Sequence, residues 1–340
     1  MRVIVFGSLN VDTTVDVPHQ PLLGETILAS GVSVAPGGKG ANQAVASRRL
    51  GVPAVMVGRI GADDNGAYLR RVLRDADVND SVSVDSTLPT GRAFIFRDDQ
   101  AQNSIVVVPG ANSRASAESL VEIPEVHGPT ALVLQLEVSL SEVVKAARLG
   151  HARGWLVVLN PSPVVTLDTE LLGLVDTLVA NEYEAAQLAG VLVEDVASAR
   201  AAAERLRVGG PTTVVVTLGA AGAVLLSGEG AWHAEAPAVD VVDTTAAGDA
   251  FVGGFIAALF EFRAAVVALS WGVAAGALSV TQCGAQPSLP SRAQTEALAG
   301  HVVCHRLDSQ RSVADGENEA TADEPAPDLS EEKRYGTDHQ

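Results

Sequence analysis

Short apolar runs alternate with longer stretches whose apolar residues recur at helical spacing along much of this chain. Val3–Phe6 is a continuous apolar run, the pattern of a strand buried on both faces. Residues 12–36 are less regular and carry Pro18, Pro21, Gly24, Gly31 and Pro36; within them Thr26–Val34 alternates and predicts a short exposed strand. Asn42–Leu50 has helical spacing and Gly51 ends it. Val55–Val57 predicts a strand, and 66–76 a helix with several arginines. Two β-type runs, Ala93–Phe96 and Ile105–Val108, are separated by polar turns.

From residue 130 the rhythm is regular. Strands are predicted at 131–136, 155–159, 177–180 and 213–218, with helices at 139–150 and 183–207 between them. Such alternation implies βαβ units and a parallel sheet. Gly219 and Gly222 separate 213–218 from a further strand at 223–226. Small-residue helices are predicted near 249–260 and 263–281, and another near 291–303. The segment 264–281 comes nearest to a membrane span, but its Ser, Gly and Thr content suits a buried helix. The apolar run after Met1 is too short for a signal peptide, which predicts a cytoplasmic protein.

Composition narrows the picture. A chain of 340 residues holds one large α/β domain or two small ones. Hydrophobic residues make up 47% and aromatics only 4%, so the core must come from Ala, Val, Leu and Ile. The net charge of −18 argues against nucleic acid, whose phosphates need Lys and Arg. Cys283 and Cys304 have no metal-type spacing and suit a reducing compartment. From Asp308 to Gln340 there are ten acidic and three basic residues, a net of −7, with few apolar ones. That composition predicts a disordered extension.

Four segments before residue 225 carry chemistry. Gly7-Ser8-Leu9-Asn10-Val11-Asp12 follows the first strand, where ligands bind in an open α/β sheet. Asn10 and Asp12 would share a face of an extended segment and suit a polyhydroxyl ligand, or else be turn-forming residues. The glycine-rich Pro36-Gly37-Gly38-Lys39-Gly40-Ala41-Asn42-Gln43 includes one of only three lysines and is not a P-loop. Asn181 and Glu184 lie three apart after strand 177–180. They would help organise Mg²⁺ and its waters, or form a capping box. Thr217-Leu218-Gly219-Ala220-Ala221-Gly222 is a strand-end glycine loop able to hold a nucleotide.

The most informative stretch is Asp243 to Ile256. A small-residue turn, Thr245–Gly248, runs into an apolar helix with one carboxylate, Asp249, at the junction. Free N–H groups at a helix start attract anions, and a carboxylate beside a bound anion suits phosphoryl transfer to a hydroxyl. An Asp capping a helix after a glycine turn gives the same pattern.

In this order, the segments closely resemble the ribokinase-like carbohydrate kinases, the phosphofructokinase-B family, over roughly residues 1–300. Gly38-Lys39-Gly40-Ala41-Asn42-Gln43-Ala44 with Gly51 and Gly61 is similar to the N-terminal signature, and Asp243–Ile256 to the C-terminal one. Pro-Gly-Ala-Asn (109–112), Gln-Leu-Glu (135–137), Leu-Asn-Pro-Ser-Pro (159–163) and Gly-Ala-Gln-Pro-Ser (284–288) are most similar to the members that act on D-ribose. The resemblance implies a three-layer α/β/α sandwich over 1–305. Its central sheet would be mostly parallel, with a small β-sheet lid from 12–36 and 90–108, followed by the acidic tail.

The same resemblance implies ATP-dependent phosphorylation of D-ribose at O5, or of another sugar or nucleoside. Asp249 would be the general base, and Ala246, Ala247 and Gly248 the anion hole. Asn10, Asp12, Gly38, Lys39, Asn42 and Glu137 would hold the sugar. Asn181, the 217–222 loop and Gly248 would contact the nucleotide, and Glu184 would position Mg²⁺ and phosphate. A monovalent cation, K⁺ in most members, would sit at Asp243, Thr245, Ser279, Gln282, Gly284 and Ser288, mostly on backbone carbonyls. Lids in this family often pair in a homodimer. The chain departs from the pattern at Gln282-Cys283, which replaces a common basic pair. Gly272 likewise replaces a His found near the adenine.

Overall fold

The computed structural model describes residues 1–98 and 103–307. The acidic segment from Asp308 lies outside the described residues. The chain enters with β1 (Arg2–Phe6), β2 (Asn10–Asp16) and β3 (Gly31–Gly37), then α1 (Lys39–Arg49), β4 (Ala54–Gly61), α2 (Asp64–Asp75) and β5 (Asn79–Asp85). β6 (Gly91–Arg97) and β7 (Asn103–Val108) precede β8 (Thr130–Leu134), α3 (Leu140–Ala152), β9 (Leu156–Leu159), α4 (Thr169–Gly173) and β10 (Thr177–Asn181). Next come α5 (Glu182–Ala189), α6 (Val196–Val208), β11 (Thr213–Thr217), β12 (Ala223–Ser227) and β13 (Gly230–Ala234). The last elements are α7 (Ala247–Phe262), α8 (Ala265–Ser279), α9 (Ala285–Ser288), α10 (Arg292–Ala299) and β14 (Cys304–Leu307).

A ten-stranded sheet has the order β14-β13-β12-β11-β10-β9-β8-β1-β4-β5. Its pairs from β11 through β1 to β5 are parallel, while β12, β13 and β14 join antiparallel at one side. Side chains of β1 alternate between the two faces, as a strand must. Val3 and Val5 belong to the apolar cluster that includes Ala44 of α1 and Phe255 of α7, whereas Ile4 and Phe6 belong to the cluster that includes Val143 of α3 and Ala199 of α6. The result is helix, sheet, helix. A second sheet, ordered β3-β2-β6-β7, is the small sheet expected as a lid. Among the described residues, no helix is long and apolar enough to cross a membrane.

Small residues let the helices on one face approach closely. A Cβ on Gly253 would stand 2.6 Å from Ala46 Cβ, and one on Gly254 would stand 2.7 Å from the Trp271 carbonyl oxygen. This tight packing of α7 on α1 and α8 sets one helix start against the other.

Several boundaries differ from those read in the sequence. The strand predicted at Thr26–Val34 lies instead at Gly31–Gly37, because its bounds follow pairing with β2 from Asp16↔Gly31 to Asn10↔Gly37. As an edge strand it tolerates Pro36, which lacks a ladder donor. The helix predicted over 183–207 is two. Gly190, at φ 64°, ends α5 in the left-handed conformation that glycine allows, and Asp195 caps α6. The helix near 291–303 stops at Ala299, leaving residues 304–307 to pair with β13.

Candidate active site

Several candidate motifs directly follow the C-terminal ends of parallel strands, where α/β folds bind ligands. Gly7 and Ser8 follow β1, Gln135 and Glu137 follow β8, and Asn160 follows β9. Asn181 ends β10 and Thr217 ends β11, and the two are register partners. The two segments proposed for nucleotide contact are therefore neighbours.

The start of α1 is satisfied by distant groups rather than by its own cap. Lys39 N donates to Glu137 Oε2 at 3.1 Å, Gly40 N to Ser8 Oγ at 3.3 Å, and Ala41 N to the Ser8 carbonyl at 3.0 Å. Ser8 Oγ also donates to Glu137 Oε2. The Glu137 side chain thus takes the place of a local cap at this helix start. The approach requires glycine: a Cβ on Gly40 would stand 2.7 Å from Ser8 N, and Gly38 turns at φ 89° against the Asn10 amide.

Asp249 is buried in the first turn of α7. Asn42 Nδ2 donates to its Oδ2 at 2.9 Å, and Gln43 Nε2 donates to its Oδ1 at 2.8 Å. Burial is the largest influence on Asp249 and raises its pKa. Lys39 and the two amides act the other way, and Glu137 adds to the rise. Burial alone would lower the Lys39 pKa. The carboxylates of Asp249, Glu137, Glu184 and Asp12 outweigh it and hold the ammonium above its ordinary value.

Asp12 faces the same centre from β2. Burial first, then Glu137 and Asp249, push its pKa up to about 7, against the pull of Lys39. Its Oδ1 is buried without a partner, as is Asn42 Oδ1. Two orphaned acceptors are what hydroxyl donors of a ligand would satisfy. Asn10 is fixed by Asn112, whose Nδ2 donates to Asn10 Oδ1 at 2.8 Å.

Ala246 precedes α7 at φ 63°, ψ 11°, a left-handed conformation costing roughly 1–2 kcal/mol for a residue with a Cβ. No side chain caps this helix, and a Cβ on Gly248 would meet nothing within 4 Å. Space therefore stands open before the first turn. Ala247 N donates to the Thr244 carbonyl at 3.3 Å, a long bond that leaves it only partly engaged.

The Asp243 carboxylate ties two loops together. Its Oδ1 accepts from Thr245 N at 2.9 Å and Thr245 Oγ1 at 2.6 Å, and its Oδ2 accepts from Gly284 N at 2.8 Å. Burial would raise this group, but those bonds and the Arg97 charge hold it below the usual range. Ser279 and Ser288 are not turned toward it; their hydroxyls donate to the Gly276 and Ala285 carbonyls at 2.8 Å. Gln282 N donates to the Ser279 carbonyl at 3.3 Å. A narrow cavity of about 50 Å³ separates Asp12, Thr14 and Arg97 from Asp243, Thr245 and Gly284. A larger one, about 400 Å³, is lined by Arg49, Thr281, Gln282 and Gln294, and includes none of the groups that touch Asp249.

Asn181 and Glu184 form the reciprocal capping box. Asn181 Oδ1 accepts from Glu184 N at 2.8 Å, and Glu184 Oε2 from Asn181 N at 3.0 Å. In the glycine loop, Leu218 N donates to the Gly222 carbonyl at 2.8 Å and Ala221 N to the Leu218 carbonyl at 3.0 Å. Gly219 and Gly222 both have positive φ. Gly272 packs against the Phe251 ring, 2.9 Å from a Cβ built there, so no side chain fits at this position.

Sequence reasoning gave no role to Ser8, Gln43, Asn112, Gln135 or Asn160, although all lie within quoted motifs. The available signal was an amide directly after an apolar strand run, as at Gln135 and Asn160.

A family model for pfkB family carbohydrate kinases matches residues 1–292. The chain is 41% identical over 295 residues to the ribokinase of Haemophilus influenzae, covering 86% of this chain and 96% of that one. It is 35% identical over 294 residues to the deoxyribokinase of Salmonella typhi, covering 86% and 96%. Its fold is similar to a solved structure of Arabidopsis thaliana ribokinase complexed with ribose and ATP. There the TM-score is 0.80 at 32% identity, covering 88% and 98% of the two chains. Thermotoga maritima ribokinase gives a TM-score of 0.79 at 34% identity, covering 88% and 99%.

The sheet order, the small second sheet and the similarity to solved and curated ribokinases define a ribokinase-like sugar kinase. The chain belongs to the pfkB family of carbohydrate kinases.

Proposed function

We propose that this kinase transfers the γ-phosphoryl group of ATP to O5 of D-ribose, with Asp249 as the general base. The observation that carries the reading is Asp249 itself: buried, held by two amides, and set in the first turn of an uncapped helix. Asp249 accepts the O5 proton as O5 bonds to the γ-phosphorus and the bond to the β-phosphate oxygen breaks. N–H groups of Ala246, Ala247 and Gly248 take up charge on the transferring group.

Asn10, Asp12, Lys39, Asn42 and Glu137 hold the sugar, and Gly38 lets the loop lie close. The orphaned acceptors Asp12 Oδ1 and Asn42 Oδ1 support a polyhydroxyl ligand. Asn181 and the 217–222 loop hold the nucleotide, supported by their adjacency across β10 and β11.

Mg²⁺, when bound, would supply charge neutralisation to the phosphates, and Glu184 is the carboxylate that would orient it through waters. The Asp243 carboxylate, with backbone carbonyls of the Thr245 and Gly284 loops, would suit a monovalent cation such as K⁺. The hydroxyls of Ser279 and Ser288 are occupied, so these residues and Gln282 would contribute carbonyls. The small sheet acts as a lid that excludes water. Its outer strands expose Val32, Val34, Ile105 and Val107, which supports pairing with a second copy as a homodimer. Two free cysteines suit a cytoplasmic location.

The similarity to a deoxyribokinase supports a second reading in which the acceptor lacks the 2-hydroxyl. A panel of ribose, deoxyribose, hexoses and nucleosides, ranked by kcat/KM with ATP, Mg²⁺ and K⁺, separates the two. Ribose is expected to rank first; a much higher value for another acceptor overturns the choice of sugar, and no ADP release with any acceptor overturns the reaction.

A further inference from the structure

Asp249 is gripped by an amide whose orientation is dictated from the sheet backbone. The Val179 carbonyl can only accept, and it takes Asn160 Nδ2 at 2.9 Å. Asn160 Oδ1 then faces the other way and accepts from Gln43 Nε2 at 3.2 Å. The same Gln43 nitrogen donates to Asp249 Oδ1 at 2.8 Å. From the opposite side, Gln135 Nε2 donates to Gln43 Oε1 at 2.6 Å. A flipped Gln43 would set its oxygen against the Asp249 carboxylate and its NH₂ against that of Gln135. Both contacts repel, so only one orientation survives.

Gln43 and Gln135 are fully buried, and Asn160 and Asp249 nearly so. Gln135 Oε1 has no partner. Apolar side chains would fill this space without leaving a polar atom orphaned. A buried polar chain kept despite that cost, ending on a carboxylate, serves the carboxylate rather than the packing.

We propose that Gln43 is a positioning residue for phosphoryl transfer: backed by Asn160 and Gln135, it fixes the plane of the Asp249 carboxylate and always presents it with a donor. The proposal rests on the reading of Asp249 as the base. The charged groups facing Asp249 are Lys39 from the start of α1, Glu137 beyond β8, and Asp12 on β2. Lys39 and the amides favour the ionised carboxylate, while burial and Glu137 oppose it. Without Gln43, burial gains ground and Asp249 keeps its proton to higher pH.

The test is the pH profile of kcat/KM for the full chain carrying Gln43→Met, with sugar phosphorylation as the readout. The acid limb is expected to move up by about one to two pH units, the strength of a hydrogen bond to a charged group. At pH values below the wild-type limb the rate falls about tenfold to a hundredfold, KM for the sugar changes less than about threefold, and alkaline pH restores much of the rate. A purely structural role would lower the rate equally at all pH values. Gln135→Met leaves the donor and its Asn160 contact but removes the donor that holds Gln43 Oε1, and should shift the limb the same way by less; it decides the matter if Gln43→Met does not fold. A folded variant with a wild-type acid limb overturns the proposal. Asp249→Asn run alongside separates the two readings. An active Asp249→Asn sinks the base assignment, whereas an inactive one beside an unshifted Gln43→Met sinks only the role of Gln43.

Discussion

Gly37 lies directly against the Asp12 carboxylate: a Cβ built on it would stand 1.9 Å from Asp12 Oδ2. The two are diagonal neighbours on paired strands, since Asp12 is opposite Ala35 and Gly37 is opposite Asn10. Gly37→Ala is expected to push Asp12 out of place while leaving Asp249 untouched. KM for the sugar should rise at least about tenfold, the worth of one good hydrogen bond, with kcat changing less. Steady-state kinetics in sugar concentration check it, and an unchanged KM would count against Asp12 as a sugar ligand.

Asp12 gives sugar binding a pH dependence. Its carboxyl titrates at about 7 in the free protein, raised chiefly by burial. A carboxylate is the stronger acceptor for a sugar hydroxyl, so KM should fall as pH rises from 6 to 8. For stability the sign is opposite. A raised folded pKa makes the protonated form the stabilising one, so this contribution is full below about pH 4 and is lost as pH rises through 7. Asp12→Asn should flatten both dependences, measured by kinetics and by thermal unfolding across the range.

Asp249→Ala should lower kcat by roughly 10²–10⁴-fold, the usual share of a general base, while sugar binding by calorimetry persists. Near-wild-type turnover in this variant would falsify its role as base.

Gly222 and Gly219 lie in one loop but have different reasons to be glycine. At Gly222, φ is 90° and a Cβ would stand 1.9 Å from the Ala234 carbonyl oxygen; at Gly219, φ is 53° and the space is open. Gly222→Ala should destabilise by clearly more than about 1 kcal/mol and raise KM for ATP, because the β12–β13 hairpin must move. Gly219→Ala should cost only the roughly 1 kcal/mol of left-handed strain. Thermal unfolding of the pair, with ATP kinetics, distinguishes them.

Where pattern is local, the sequence was readable. Val3–Phe6 and 213–218 are apolar runs, and both are strands of the parallel sheet. The small-residue stretch after Asp249 is helix α7, and its glycines are what tight helix packing needs. β5, β13 and β14 escaped because polar residues interrupt their runs, and they form by pairing with strands already in place. The division of 183–207 depended on the left-handed Gly190, a single residue inside a helical pattern.

The site divides along the same line. Sequence by itself determined the residue types and their placement after strands: the Gly38-Lys39-Gly40 turn, the Asn181/Glu184 pair and Asp249 at a helix start. It left open whether Asp249 is only a cap, because capping and catalysis use the same residue in the same place. Tertiary structure decided what surrounds that carboxylate. Asn42 and Gln43 stand 207 and 206 residues from Asp249, and Gln135 lies 92 residues from Gln43. Their meeting depends on strand order and on the close approach of α1 and α7, which no local period encodes. Whether a buried side chain faces a donor, an acceptor or nothing is settled only when such distant segments pack together.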